Sequence, residues 1–149
     1  MTRDDVTQLV HDAKRKSGKS WKDIAAAINP SVSPICITAA LLGQMTLEKA
    51  EAEKAATLLG LPADAALLLA EIPYRGSIPS MPPTDPLIYR FYELVMVYGT
   101  TFKELIQEEF GDGIMSAIDF DMTMERQPDP KGDRVKLNMS GKFLSYKRY

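Results

Sequence analysis

The sequence predicts an α+β fold that is mainly helical, and three observations support this prediction. Apolar residues recur at helical spacing through the first seventy residues, a proline-rich segment follows, and beyond residue 117 the apolar period changes to two. With 149 residues, of which 45% are hydrophobic and 26% charged, the chain can bury a real core. We predict a helical bundle at residues 1–72, a linker at 73–86 and a second domain at 87–149.

Five helices are predicted in the first segment, and most have a recognisable start or stop signal. The first helix has apolar residues on one face and ends at Gly18. The second begins after Ser20 as N-cap, with Asp23 at the third helical position, which is close to a capping box. The third begins with Ser33 as N-cap and Pro34 at its first position. The fourth and fifth are predicted in TLEKAEAEKAATLLG, from Thr46 to Gly60, and in PADAALLLAEI.

The order helix, tight turn, helix resembles the helix-turn-helix DNA-binding domains of phage-repressor type. A DNA-binding regulator with a C-terminal dimerisation domain is therefore an alternative function. A recognition helix needs polar or basic side chains near its N-terminal end, whereas the helix from Pro34 to Leu42 offers only Thr38. The net charge of −2 also gives no support for a nucleic-acid partner. We expect an architectural module that does not bind DNA.

The second domain is predicted to start with two helices. Five of the ten prolines lie in residues 73–86, so this segment is extended. A helix follows from Pro86 to Gly99, and another is predicted from Thr100 or Thr101 to Gly111.

Strands are predicted at the end of the chain. Apolar residues alternate with polar ones, as in a half-buried strand, at Ile118, Phe120, Met122 and Met124. One or two further strands are predicted in RVKLNMSGKFLSY. Two or three strands with one apolar face are marginal alone, and their edges invite pairing. We therefore predict strands interlocked with a partner chain in an obligate oligomer.

Only two charged residues, Arg90 and Glu93, interrupt the apolar helix PLIYRFYELVMVYG. Residues three apart lie on the same helical face, and a helix that is apolar all round is normally buried. Unpaired buried charges cost several kcal/mol, so such groups are paired or bind something. The residues alone leave two interpretations open: a structural ion pair or a binding site.

Several kinds of chemistry are excluded by composition. Cys36 is the only cysteine and His11 the only histidine, which excludes an intrachain disulfide and a cysteine-based zinc cage. We expect Cys36 to be a buried small hydrophobe and His11 to be solvated. No apolar run reaches the roughly 18 residues of a membrane span, and MTRDDVTQLV lacks the apolar core of a signal peptide. We expect a cytoplasmic protein with no membrane partner.

The strings YRFYE and FGDGIMSAIDF are long and ordered, and with SWKDIAAAI and LLGL they resemble the cyanase (cyanate hydratase, cyanate lyase) family. The resemblance implies a helix-turn-helix-like bundle joined to a small dimerisation domain, with dimers assembled into a ring-like homodecamer. The implied substrates are cyanate and bicarbonate, which yield carbamate and carbon dioxide, and the carbamate then releases ammonia. The family's catalytic residues fall on Arg90, Glu93 and Ser116, in active sites between subunits. No metal or organic cofactor is implied.

The three residues have different expected roles toward the two anionic substrates. Arg90 carries a permanent charge on a planar fork that suits carboxylate-like oxygens. Glu93 either orients Arg90, which we favour, or relays a proton. Ser116, placed by the sequence at a turn that enters a strand, can donate a hydrogen bond without adding charge, and a nucleophilic role is not expected. A catalytically silent scaffold with the same fold is a further alternative.

Overall fold

A computed structural model describes residues 1–147, and within that range the chain forms six helices and one two-stranded sheet. This confirms a mixed and mainly helical fold. The elements are α1 (Arg3–Ser17), α2 (Trp21–Ile28), α3 (Pro34–Leu41), α4 (Lys49–Leu59), α5 (Ala63–Ala70), α6 (Pro86–Phe110), β1 (Gly113–Gln127) and β2 (Arg134–Ser145).

The chain divides into two compact units, which are described separately. The helical unit comprises residues 1–76 together with residues 122–138, the tip of the hairpin formed by β1 and β2. The second unit comprises residues 77–121 and the chain from residue 139 onward. The division into domains 1–72 and 87–149 around a linker stays a prediction.

Two helices of the helical unit begin with complete capping boxes. The predicted signal at Ser20 and Asp23 is confirmed, because each side chain bonds the backbone of the other residue. Thr2 and Asp5 form a second box at the start of α1. Hydrogen bonds from Ser20, first from its side chain and then from its backbone, lower the pKa of Asp23 below its ordinary value of 3.8.

The core of the helical unit is built from side chains of all five of its helices. The largest fully buried side chains are Val6, Val10, Ile24, Ile37, Leu41 and Leu69. Burying a side chain of this kind contributes about 1.5–3 kcal/mol. The Arg3 guanidinium donates to the Ala40 carbonyl at 2.5 Å, and burial lowers the pKa of Arg3. This hydrogen bond joins α1 to the end of α3.

The hairpin tip packs within the helical unit. Ser33 is the N-cap residue of α3, as predicted, but its side chain makes no capping bond. Its hydroxyl donates instead to the Met122 carbonyl at 2.8 Å. Across the hairpin, Lys136 Nζ lies 2.9 Å from Glu125 Oε1, and this hydrogen bond lowers the pKa of Glu125.

Three local predictions for the helical unit are wrong. His11 is half-buried rather than solvated, with its ring centroid 5.9 Å from that of Trp21 in an edge-on arrangement. Cys36 is half-buried rather than fully buried. The fourth helix begins at Lys49, not Thr46, because the Thr46 hydroxyl donates to the Glu71 carbonyl at 3.4 Å and Glu48 occupies the N-cap position.

The second unit begins with one continuous helix of 25 residues, α6, where two helices were predicted. The predicted break at Gly99 is wrong. A glycine inside a helix lowers helix stability by about 1 kcal/mol relative to alanine. The many hydrogen bonds of a long helix offset this loss. Gly111 does end the helix, with a φ of 93°.

The strand β1 is longer and more exposed than predicted. It begins at Gly113, so Ser116 lies inside the strand rather than in a turn before it. The predicted half-buried face is only partly formed, since Phe120 is half-buried but Ile118 is 98% exposed.

The second unit has no apolar core of its own among the described residues. Every member of the hydrophobic core cluster lies between Val6 and Leu69, and no residue of α6 is buried. Leu87 and Leu105 of α6 are 70% and 58% exposed. The prediction that this helix is buried on several sides is therefore wrong for the single chain.

Candidate active site

Arg90 and Glu93 lie in the second and third turns of α6, close to a capped helix start. Asp85 is the N-cap, and its carboxylate accepts from the amides of Leu87 and Ile88 at 2.9 and 3.0 Å. A charged cap satisfies two amides that otherwise have no partner inside the helix. The cap fixes the start of the helix, and the spacing of three residues places Arg90 and Glu93 on one face.

The two charged side chains form an ion pair. Arg90 Nε lies 3.3 Å from Glu93 Oε2, and the side chains are 62% and 49% exposed. The Arg90 guanidinium also lies 5.2 Å from the ring centroid of Tyr89. Within residues 1–147 the terminal nitrogens Nη1 and Nη2 make no hydrogen bond, so the fork of the guanidinium is available to a ligand. Residues 1–147 of the single chain do not provide the expected shielding of this pair.

Ser116 is the buried polar residue of the second unit, with 4% of its surface exposed. Its hydroxyl oxygen accepts from the amides of Ile118 and Asp119, each at 3.0 Å. Consecutive amides of a regular strand point in opposite directions, so two amides on one oxygen mark a local distortion of β1. Ile118, two residues after the buried Ser116, is 98% exposed.

The hydrogen bonds around Ser116 define what its hydroxyl can do. The oxygen is occupied by two amide donors, whereas the hydroxyl proton remains free to donate. Hydrogen bonds accepted by an oxygen polarise its own O–H and make it a stronger donor. The Ser116 hydroxyl can therefore donate a hydrogen bond to an anionic oxygen.

The structure brings Arg90 and Glu93 together but does not join them to Ser116. Within the described residues no hydrogen bond or ion pair links Ser116 with either of them. Two clefts, of about 380 and 370 Å³, lie beside Met124 in the helical unit, and neither is lined by any of the three residues.

Sequence reasoning missed two elements of this region. The Asp85 cap could have been found, because Asp followed by Pro at the first helical position is a known helix start. The amides of Ile118 and Asp119 carry no sequence signal of their own, since their direction depends on the distortion of β1.

Two further searches of residues 1–147 gave negative results. No group of three or more metal-ligating side chains is close enough to hold a metal ion. No helix in this range combines the length and the apolar character that crossing a membrane requires.

Comparison with known families covers almost the whole chain. Residues 3–73 match the family "Cyanate hydratase, N-terminal" and residues 80–148 match "Cyanate lyase C-terminal domain". The chain belongs to the cyanate hydratase family. It is therefore a lyase-type enzyme by family, and the DNA-binding regulator is not favoured.

Individual members of the cyanate hydratase family are similar over their full length. The cyanate hydratase of Ralstonia pickettii is 60% identical over 149 residues, covering 100% of both chains. That of Thiobacillus denitrificans is 59% identical with the same coverage. The crystal structure of cyanase from T. urticae superposes with a TM-score of 0.81 at 37% identity, covering 95% of this chain and 97% of that one.

Proposed function

We propose that the chain catalyses the bicarbonate-dependent decomposition of cyanate to ammonia and carbon dioxide. An oxygen of bicarbonate attacks the cyanate carbon, and the bond between that oxygen and the bicarbonate carbon then breaks. Carbon dioxide leaves and carbamate remains, its nitrogen having taken the bicarbonate proton and one further proton. Carbamate takes another proton and separates into ammonia and a second carbon dioxide.

The main obstacle to this reaction is the meeting of two anions. At about 4 Å two like unit charges repel by roughly 1 kcal/mol in water and about 4 kcal/mol at an effective dielectric constant of 20. A site that excludes water must therefore hold positive charge and hydrogen-bond donors already in place. Electrostatic preorganisation and proximity, rather than covalent catalysis, are the mode of action that we propose.

Arg90 is the proposed source of the positive charge, and its free fork is the single observation that carries the proposal. Its terminal nitrogens make no hydrogen bond within residues 1–147, although the side chain is held through Nε by Glu93 at 3.3 Å. A guanidinium oriented in this way can present two parallel N–H groups to a planar anion such as bicarbonate. We propose that Glu93 orients Arg90 and does not itself contact the anions.

Ser116 is the proposed neutral donor. Its hydroxyl proton is free while its oxygen is held by two amides. A donor fixed in this way can bind an oxygen of cyanate or bicarbonate without adding charge to the site. Bicarbonate supplies the nucleophilic oxygen, so the serine has no covalent role.

We propose that the complete site forms between subunits. The support is the exposed apolar surface of α6, where Phe91 and Val95 are 50% and 60% exposed on the helix that carries Arg90. Apolar surface of this extent on a helix is typical of protein–protein interfaces. Symmetry can then bring several copies of Arg90 together and place Ser116 of one chain beside them.

The finer architectural predictions belong to the same proposal. They are strands interlocked with a partner chain, dimers assembled into a homodecamer, and a helix-turn-helix-like five-helix bundle that does not bind DNA. Their support is the family membership and the lack of an apolar core in the second unit. The absence of a metal or cofactor requirement and the cytoplasmic location also stay predictions.

The function is tested by measuring ammonia and carbon dioxide released by the purified protein from cyanate, with and without bicarbonate. We expect ammonia release that depends on bicarbonate, with two molecules of carbon dioxide per ammonia. Release that is absent, or that is unchanged when bicarbonate is removed, would contradict the proposal and favour the silent scaffold.

The role of Arg90 is tested by Arg90→Leu. We expect kcat/KM to fall at least about 100-fold, because the charge that offsets the repulsion between the two anions is lost. The size of the assembly should not change, because leucine suits an apolar helix. Arg15→Leu is the matched control, since it removes another exposed i,i+3 pair, with Asp12 on α1. Full activity of the Arg90 variant, or an equal loss in the control, would show that Arg90 has no specific role.

A further inference from the structure

We propose that Gly141 is a positioning residue for Ser116, acting through the backbone of the hairpin. The inference rests on the proposed role of Ser116 as a hydrogen-bond donor in cyanate decomposition. It assigns to β2 a function that no motif in the sequence indicates, since Gly141 lies in the middle of that strand.

The two residues approach each other more closely than any side chain would allow. A Cβ atom added to Gly141 would lie 2.3 Å from the Ser116 carbonyl oxygen and 2.7 Å from Met115 Cγ. A glycine in a strand interior is normally unfavourable, and it often marks a site where another backbone comes close. Gly141 is not among the glycines with positive φ. The lack of a side chain, rather than an unusual backbone conformation, is therefore what this position requires.

The Ser116 hydroxyl depends on the backbone that Gly141 touches. Ser116 Oγ is held by the amides of Ile118 and Asp119, which lie in the two peptide units after the one that contains the Ser116 carbonyl. Displacement of that carbonyl rotates its own peptide unit, which lies between the Ser116 side chain and the two amides, and so alters the position of the hydroxyl relative to those amides. A misplacement of about 1 Å in a catalytic group can cost up to about 100-fold in rate.

The same hairpin contains a matched control. A Cβ atom added to Gly113 would lie 2.3 Å from the Leu144 carbonyl oxygen and 2.5 Å from Phe143 Cζ. This clash is as severe as that at Gly141 and joins the same two strands, but Ser116 is not among the nearest atoms. Gly113→Ala therefore reports the effect of strain in the hairpin alone.

The test compares Gly141→Ala and Gly113→Ala, each in the wild-type chain and in a Ser116→Ala background. We expect Gly141→Ala to lower kcat by about 10- to 100-fold with a smaller change in KM. In the Ser116→Ala background, Gly141→Ala should lower kcat by less than about twofold, because the hydroxyl that it misplaces is already absent. Gly113→Ala should lower kcat by the same factor in the wild-type chain and in the Ser116→Ala background.

A second readout is hydrogen exchange of the peptide that contains residues 116–121, measured by mass spectrometry. Gly141→Ala should speed exchange there more than Gly113→Ala does, because it loosens the two amides bound to Ser116 Oγ. If Gly141→Ala lowers kcat by the same factor in both backgrounds, the inference is overturned in favour of a purely structural role. Insoluble protein from Gly141→Ala, with soluble protein from Gly113→Ala, would overturn it in the same way. Full activity of Ser116→Ala would instead disprove the proposed role of Ser116. This result distinguishes a failure of that proposed role from a failure of the inference about Gly141.

Discussion

At the scale of single residues, the geometry of Glu93 helps to separate its two possible roles. Its carboxylate contacts Arg90 at Nε and leaves the terminal nitrogens of the fork free. An acceptor in this place restricts the rotation of the guanidinium, which lowers the entropy lost when an anion binds. The contact therefore favours orientation of Arg90 over direct participation in proton transfer.

Glu93→Gln distinguishes the two roles. If Glu93 orients Arg90, the glutamine oxygen can still contact Nε, and we expect a loss of only about tenfold in kcat/KM. Glu93→Ala should lose about tenfold more, and the pH profile of Glu93→Gln should keep the shape of the wild type. Equal losses of about 100- to 10,000-fold in both variants, with a changed pH profile, would indicate proton transfer instead.

At the scale of helices and strands, the capping box of α1 links stability to pH. The pKa of Asp5 is lowered by hydrogen bonds from Thr2, first from its backbone and then from its side chain. A depressed pKa in the folded state means that the carboxylate stabilises the fold above its ordinary pKa of 3.8. This stabilisation is lost as the pH falls through the folded-state pKa.

We expect Asp5→Asn to lower the thermal midpoint at pH 7, and the difference from wild type should shrink as the pH falls below 3.8. The control is Asp4→Asn, which changes an acidic residue in the same first turn that is not part of the capping box. Thermal unfolding followed by circular dichroism between pH 7 and pH 2.5 measures both variants. A difference that stays constant over this range would contradict the proposed linkage.

The continuity of α6 leads to a prediction at Gly99. A Cβ atom there would meet Val95 Cγ1 at 3.7 Å, an ordinary contact, and helical alanine is favoured over glycine by about 0.5–1 kcal/mol. We therefore expect Gly99→Ala to raise the unfolding free energy by about that amount. Gly111→Ala is the control and should destabilise, because Gly111 has a φ of 93° at the helix end. Loss of the assembly in Gly99→Ala would show that another chain approaches this glycine.

Local signals in the sequence predicted several helix boundaries, such as the ends at Gly18 and Gly111, better than the continuity and surroundings of longer elements. Ser20 with Asp23 identified a helix start correctly, because a capping box is complete within four residues. Gly99 was misinterpreted as a stop, because only the length of the surrounding helix makes the glycine tolerable. The pairing of Arg90 with Glu93 followed from their spacing. The close approach of Gly141 to Ser116 could not be predicted, because it joins residues on different strands.

At the scale of the whole molecule, the distribution of buried surface differs between the two units. The core cluster lies entirely between Val6 and Leu69, whereas the second unit exposes large apolar side chains along α6. A unit without a core of its own requires partners for stability. The second unit is therefore expected to be stable only in the assembly, whose proposed mass is about 165 kDa for ten chains of 16.5 kDa.

A chain that ends after Gln127 tests this dependence. It lacks all of β2 and leaves β1 as an unpaired strand, so we expect insoluble or monomeric protein without activity. The soluble fraction and the mass by light scattering measure the outcome. A chain that ends at Lys147 retains both strands and is the control for shortening. Soluble, fully assembled and active protein from the shorter chain would contradict the need for the hairpin.

The hydrogen bond from Ser33 to Met122 has a consequence for how this protein can evolve. The two residues are 89 positions apart, and the compact helical unit draws on both stretches of sequence. A gene fragment that ends in the proline-rich segment would encode residues 1–76 of the helical unit but not residues 122–138. Recombination in that segment would therefore yield an incomplete helical unit. The arrangement discourages exchange of modules between genes and favours inheritance of the chain as a whole, as in relatives that align over 100% of their length.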